Sequence, residues 1–221
     1  EIIEEVRHLT QKGVKAVCLL GQNVNSYGKG LEEEIKFPEL LCRINEIEGL
    51  DRIRFTTSHP ADLSEELIQA FSELEKLCEH IHLPFQSGSN RVLKAMHRGY
   101  TRESYLGKID RLKEICPSIA ITADVIVGFP GEDEEDFQET LNLMEKIRFD
   151  DLYSFKYSPR KGTRASQFED RIEEKVKQER LSILQSFQKE ITLQKNQVLE
   201  GSVEEVLIEG RSKQGERDVT G

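Results

Sequence analysis

Asp124 stands in the middle of an apolar run, Ile121 to Val127. A carboxylate there is costly to bury unless it pairs with a cation or accepts from ligand hydroxyls. It marks either an internal ion pair or a binding position. Arg98, in Met96-His97-Arg98-Gly99-Tyr100, is either a surface cation or a clamp for a carboxylate. His59 precedes a proline and reads as a hydrogen-bonding histidine rather than a base; His82 reads as part of the structure. Cys18, Cys42, Cys78 and Cys116 lie far apart with no C-x-x-C spacing. A self-contained zinc or iron–sulfur site is therefore not expected, and buried, reduced thiols are. There is no serine nucleophile elbow, no Walker lysine and no G-x-G-x-x-G.

These residues need a scaffold, and the hydrophobic pattern supplies one. A helical pattern over 2–12 stops at Gly13. Val14 to Leu20 has no clean period of two and predicts a strand covered on both faces. Phe37, Leu40, Leu41, Ile44 and Ile47 mark a helix stopped by Gly49; Ile53 to Thr57 is a strand. Asp62 as N-cap, with Glu65 three residues on, opens a helix through Leu67, Ile68 and Phe71. Ile81-His82-Leu83 is a short strand, and Val92, Leu93 and Met96 mark a short helix. Thr101 caps a helix carrying Tyr105, Ile109, Leu112 and Ile115, and Ile119 to Val127 is a long strand. A helix with Phe137, Leu141, Met144 and Ile147 leads to a strand from Leu152 to Tyr157. A long helix follows, from Ile172 to Leu199, and then a strand from Ser202 to Glu209.

Strands alternating with helices imply right-handed crossovers and a parallel sheet. Five strands follow the first helix, which itself implies one more strand upstream. A closed eightfold barrel takes about 250 residues, so a partial barrel or a doubly wound sheet remains for 221. The chain opens on Glu1, already in a helical pattern, and stops abruptly at Gly221. It reads as an excerpt of a longer protein. In parallel α/β folds the chemistry sits at the C-terminal strand ends. Those loops are Gly21 to Gly28, Thr56 to Pro60, Gln86 to Asn90, Gly128 to Gly131 and Ser158 to Arg164. Rich in amides, hydroxyls and glycines, they suit a polar, nucleoside-like ligand.

The balance of 31 Lys+Arg against 41 Asp+Glu, a net charge of −10, argues against a simple basic nucleic-acid clamp. The charge is uneven, however. Acids crowd 132–139 and 32–34, whereas 91–102 carries Arg91, Lys94, Arg98 and Arg102 with no acid. Residues 156–164 carry Lys156, Arg160, Lys161 and Arg164, again with none. Arg91, Lys94, Arg102, Arg160, Lys161 and Arg164 are the candidate RNA-facing cations. No run reaches the roughly 20 apolar residues that span a bilayer, so no membrane role is expected.

Three strings make the chain recognisable: Leu20-Gly21-Gln22-Asn23-Val24-Asn25-Ser26-Tyr27-Gly28, His82-Leu83-Pro84-Phe85-Gln86-Ser87-Gly88-Ser89 and Asp124-Val125-Ile126-Val127-Gly128-Phe129-Pro130-Gly131. They closely resemble the radical S-adenosylmethionine methylthiotransferases, and above all the tRNA branch. That branch adds a methylthio group to C2 of N6-isopentenyladenosine next to the anticodon. The resemblance covers nearly the whole chain. It implies an α/β fold, an open partial (β/α)6 TIM-like barrel over 1–199. Residues 200–221 would begin a small TRAM-like RNA-binding β-barrel.

The resemblance also implies the site. Gln22 and Asn23 would receive the methionine amino group, Arg98 its carboxylate, and Gln86 and Asp124 the ribose; Ser87 would also bind the cofactor. Tyr157 and Ser158 would lie near adenine. Lys161 and Arg164 depart from the family, standing where relatives often have prolines. The family's C-x-x-x-C-x-x-C loop and its N-terminal domain, which hold two [4Fe–4S] clusters, are absent from this sequence. The excerpt alone is therefore expected to contain no metal ligand and no catalytic residue. In the intact enzyme the family's adenosyl radical abstracts hydrogen from the adenine ring and sulfur arrives from the second cluster. A tRNA anticodon loop, a reductant such as flavodoxin or ferredoxin, a monomeric state and a cytoplasmic location complete the expectation. The rivals are a substrate on a ribosomal protein, another modified adenosine, and a non-catalytic RNA-binding or scaffold module.

Overall fold

Alternating burial along one strand organises the molecule. In the computed structural model, β4 (Ala120–Val127) buries Ile121, Ala123, Val125 and Val127 to 1% exposure or less. Thr122, Asp124 and Ile126, between them, lie on the opposite, partly exposed side. The structure describes all residues except 31–34, 57, 169, 209, 213, 214, 216, 217 and 221.

The chain begins with α1 (Ile2–Gln11), β1 (Ala16–Leu19), α2 (Phe37–Asn45), β2 (Arg52–Phe55) and α3 (Glu65–Glu73). It continues through β3 (His80–His82), α4 (Asn90–Ala95), α5 (Arg102–Ile115) and β4, then α6 (Glu134–Ile147), β5 (Asp151–Lys156) and α7 (Glu174–Val198). β1 pairs parallel with β2, and β3, β4 and β5 form a second parallel ladder. A parallel bridge from Ile53 to Leu77 joins the two sets. Spatial order follows chain order within each ladder, α1, α2, α3 and α5 pack in succession, and α6 packs on α7. A doubly wound sheet would reverse its order and cover both faces. Winding in one direction with one open face gives the open arc of a parallel barrel.

The open face corrects the expectation for Val14 to Leu20. β1 is shorter, and it is not covered on both sides: Cys18 and Leu20 are exposed. The thiols follow suit. Cys116 alone of the four is buried, while Cys42 is also exposed. Helix starts differ in one place. Ser64, not Asp62, caps α3, accepting from the Leu67 N–H at 3.2 Å. Asp62 instead faces the loop after β1. Thr101 caps α5 as expected, in a reciprocal box with Ser104. The strand expected over 202–209 is not formed through Ile208, and Glu209 lies outside the described residues. The short antiparallel pair there is β6 (Gly210–Arg211) with β7 (Val219–Thr220).

Two polar ties hold the loops to the helices. The carboxylate of Asp136 accepts from Ser89 Oγ at 2.5 Å and from the Asp133 N–H at 2.9 Å, and pairs with Arg91. Burial pushes this carboxyl up, but Ser89, the Asp133 amide and Arg91 together hold it below the usual range. Glu132, 3% exposed, accepts from Arg180 at 2.7 Å and from the Gly128 N–H at 2.9 Å. This fastens the loop after β4 to α7.

Gly88 lets the loop after β3 touch the backbone of α6. A Cβ there would sit 2.5 Å from Thr140 Cα and against the Glu139 carbonyl. Neither neighbour is a movable side-chain end. Gly88→Ala should therefore lower stability by about 1–3 kcal/mol, read as a shift of the denaturant midpoint. An unchanged midpoint would show that the two backbones can part freely.

Candidate ligand site at the strand ends

Five loops leave the C-terminal ends of β1 to β5, and contacts tie them into a ring. Asn25, in the loop after β1, donates to the His59 carbonyl and accepts from the His59 N–H, both at 3.0 Å. His59 belongs to the loop after β2. Its ring packs edge-on against Tyr100, with centroids 5.6 Å apart. The Tyr100 hydroxyl donates to the Phe85 carbonyl at 3.1 Å, reaching the segment after β3. Gln86 then joins β4: its N–H donates to the Asp124 carbonyl and its carbonyl accepts from the Ile126 N–H, each at 2.9 Å. Phe129, after β4, meets Tyr157, after β5, with ring centroids 5.1 Å apart.

The electrostatics of this ring follow from burial. His59 Nδ1 accepts from the Ala61 N–H at 3.2 Å. Burial, and then the charge of Arg98, hold this imidazole below its usual range, so it stays neutral near pH 7. Burial pushes the Tyr100 phenol up to about 12, so it remains a donor. Gln86 is 7% exposed and adopts φ 65°, a left-handed conformation uncommon outside glycine. Such strain gathers where side chains are held for a purpose.

Four side-chain atoms on these loops are buried without a hydrogen-bond partner among the described residues: Asn23 Oδ1, Ser58 Oγ, Arg98 Nε and Tyr157 OH. Buried polar groups are normally satisfied; among the described residues the other two such atoms, Arg180 Nε and Gln188 Oε1, lie on α7. Asn23 also has a determined orientation. Its Nδ2 donates to Asp62 Oδ2 at 2.6 Å. A carboxylate only accepts, so the amide nitrogen faces Asp62 and the carbonyl oxygen is left over. Asp62 is itself held by Lys29.

Arg98 and Tyr157 line one cavity of about 250 Å³ with Met96, Ile126, Phe129 and Arg164. Its apolar walls and two polar ends suit a flat, polar-edged ring. Asp124 lies on the open sheet face beside this rim, with its side chain 30% exposed. It is half in solvent rather than in a core. The structure brings Asn23, Gln86, Arg98, Asp124 and Tyr157 to one rim. Ser87 accepts from the Ser89 N–H at 3.2 Å within its own loop. Gln22 and Ser158 are exposed.

The cations expected to face RNA divide into two groups. Arg91 is committed to Asp133 and Asp136, and Arg102 to the carbonyls of Gly88 and Glu139. Lys94, Arg160, Lys161 and Arg164 are exposed. Asn25, Ser58 and Tyr100 were not singled out from the sequence, and Asp62 was read only as a helix cap. The visible signal for Asn25 and Ser58 was position, in loops that close strand ends. Tyr100 gave none. Among the described residues, no three His, Cys, Asp or Glu side chains gather as a metal site. No described helix is long and apolar enough to cross a membrane.

Comparison with known proteins gives this geometry a family. The model of the Radical SAM superfamily matches residues 1–144. A tRNA-2-methylthio-N(6)-dimethylallyladenosine synthase of Syntrophus aciditrophicus is 58% identical over all 221 residues, which cover 48% of that protein. The synthase of the same name from Syntrophobacter fumaroxidans is 56% identical over the same span, also 48% of its length. The chain thus spans about half the length of these relatives. Among solved structures, coproporphyrinogen III oxidase (HemN) from Escherichia coli, described as a radical SAM enzyme, superposes with a TM-score of 0.63. The identity is 17%, over 86% of this chain and 44% of that one. Streptococcus suis SuiB bound to S-adenosylmethionine gives 0.53 at 12% identity, over 87% and 39%. These distant likenesses speak for the fold alone. With the family model matching 144 of 221 residues, the chain belongs to the Radical SAM superfamily.

Proposed function

We propose that this chain is the S-adenosylmethionine-binding barrel of a cytoplasmic tRNA methylthiotransferase. Its target is C2 of N6-isopentenyladenosine next to the anticodon. The observation that carries this reading is the 58% identity, across every residue, to a tRNA-2-methylthio-N(6)-dimethylallyladenosine synthase. The unsatisfied polar atoms on the strand-end ring support it, because their chemistry matches the ligand.

In this reading the Asn23 carbonyl oxygen, left without a partner because the amide nitrogen donates to Asp62, accepts from the methionine ammonium, with Gln22 beside it. Arg98 pairs with the methionine carboxylate. Gln86, Ser87 and Asp124 serve the ribose, where a carboxylate can accept from both hydroxyls. Tyr157 and Ser158, with Ile126 and Phe129, enclose adenine. Beside a [4Fe–4S] cluster, bound S-adenosylmethionine supplies radical chemistry able to open an unreactive C–H bond. The protein's share is position, exclusion of water and fixed dipoles. Cys18, Cys42, Cys78 and Cys116 have no cluster spacing. We assign the ligands of both clusters to the rest of the intact protein. A reductant such as flavodoxin or ferredoxin and a monomeric state belong to the same proposal. So does the division at 199/200, with 1–199 as the barrel and 200–221 opening a TRAM-like β domain. The β6–β7 pair supports that division.

Mass spectrometry of tRNA from cells lacking the protein should show isopentenyladenosine without its methylthio group. Unchanged methylthio-adenosine would refute the tRNA assignment. In the full-length protein, Asp124→Ala should weaken S-adenosylmethionine binding about tenfold or more, the scale of a charge-assisted hydrogen bond. Unaltered affinity by calorimetry would make Asp124 structural. Replacing Arg160, Lys161 and Arg164 together by alanine should weaken tRNA binding and flatten its log–log salt slope by about 2 to 3. An unchanged slope would remove this loop from the RNA face.

A further inference from the structure

Four polar side chains run in a line across the open face of the sheet. The register pairs His80 with Ala120, His82 with Thr122 and Asp124 with Tyr153. His80, His82, Thr122 and Asp124 therefore project to the same side. Thr122 Oγ1 lies 3.2 Å from His80 Nε2 and 3.0 Å from His82 Nδ1. His82 Nε2 lies 3.4 Å from Asp124 Oδ1. The Tyr153 ring stands edge-on to His82 at 6.0 Å, buttressing it from β5.

Donor and acceptor counting makes this line directional. A carboxylate only accepts, so we assign the proton of His82 to Nε2, the nitrogen that faces Asp124. Nδ1 is then left to accept from the Thr122 hydroxyl, and the Thr122 oxygen to accept from His80 Nε2–H. Burial, then the nearby charge of Arg54, hold His80 below its usual range. The line ends in the 3.4 Å approach of His82 to one oxygen of Asp124. The side chain of His82 is 14% exposed and that of Asp124 is 30% exposed, so the anchoring contact is sheltered while the carboxylate stays reachable.

We propose that His82 is a positioning residue for Asp124, the last link of a chain His80–Thr122–His82–Asp124. It pins one carboxylate oxygen and leaves the other aimed at a vicinal diol. The proposal rests on the reading of Asp124 as the ribose ligand. Pinning matters because a free carboxylate rotates and loses order on binding; a held one is already oriented.

The test is calorimetric titration of S-adenosylhomocysteine into the full-length protein, which reads binding without turnover. His82→Leu removes both contacts and should weaken binding about tenfold, the scale of a supporting-contact loss. His82→Gln keeps a donor for Asp124 and an acceptor for Thr122, and should recover most of that loss. Thr122→Val, nearly isosteric, should weaken binding by a smaller factor and keeps the test alive should His82→Leu fail to fold. In an Asp124→Asn background, His82→Leu should add no further loss, because positioning acts only through the carboxylate. Wild-type affinity in both His82→Leu and Thr122→Val, alongside a loss in Asp124→Asn, overturns the proposal while sparing the ribose reading. So does a His82→Leu loss that persists undiminished in the Asp124→Asn background. Wild-type affinity in Asp124→Asn overturns the ribose reading itself, and this proposal with it.

Discussion

Ile121, Ala123, Val125 and Val127 must lie beneath the helices, and that requirement dictates what the other side of the sheet can show. Side chains alternate along a strand, so burying these four turns Thr122, Asp124 and Ile126 to the open face. β4 pairs with both β3 and β5, so its register also places His80, His82 and Tyr153. A slip of one residue would bring the Asp124 carboxylate under the helices and the valines into solvent. Such burial of an unpaired charge outweighs any gain the slipped ladder could make. The hydrophobic side of one strand thus fixes which polar side chains the open face presents.

The sheet sets direction, and buried polar ties hold the loops. The Asp136 network clasps α4 to the start of α6, and Glu132 with Arg180 clasps the loop after β4 to α7. Buried ion pairs return little net stability because both charges lose their hydration. What they do here is select one loop arrangement, since any other leaves a charge stranded. This also alters the meaning of the net charge. Glu132, Asp133 and Asp136, part of the acidic stretch over 132–139, are partnered by cations, and Arg91 is spent in the same way. Among the described residues, no carboxylate pairs with Arg160, Lys161 or Arg164 in the loop after β5.

The open face also carries apolar surface. Tyr153 and Phe155 are 55% and 53% exposed on β5, beside Asp124 and Ile126. Apolar area with a few oriented polar groups is the composition of a ligand-binding wall.

Much of the scaffold was legible in the sequence. Gly13 ends the first helix at φ 90°, Thr101 caps α5, and the 3.6-residue pattern found the helices. The resemblance strings, together with Asp124 inside an apolar run, drew attention to the rim where Asn23, Arg98 and Tyr157 carry buried polar atoms without a partner among the described residues. What was misread shares one cause. Asp62 looked like a cap because the capping pattern is local, yet it orients Asn23, 39 residues away. Val14 to Leu20 looked sealed because a run of apolar residues cannot reveal which neighbour is missing. Arg91 looked free because its acids lie 42 and 45 residues away. The sequence by itself determined helices, strands, turns and the residue types at each strand end, since these depend on backbone sterics and periodicity within a few residues. Only the tertiary structure decided which polar groups are satisfied and which are left for a ligand. Strand register and helix packing bring distant residues within hydrogen-bond reach, and hydrogen bonds act only at that range.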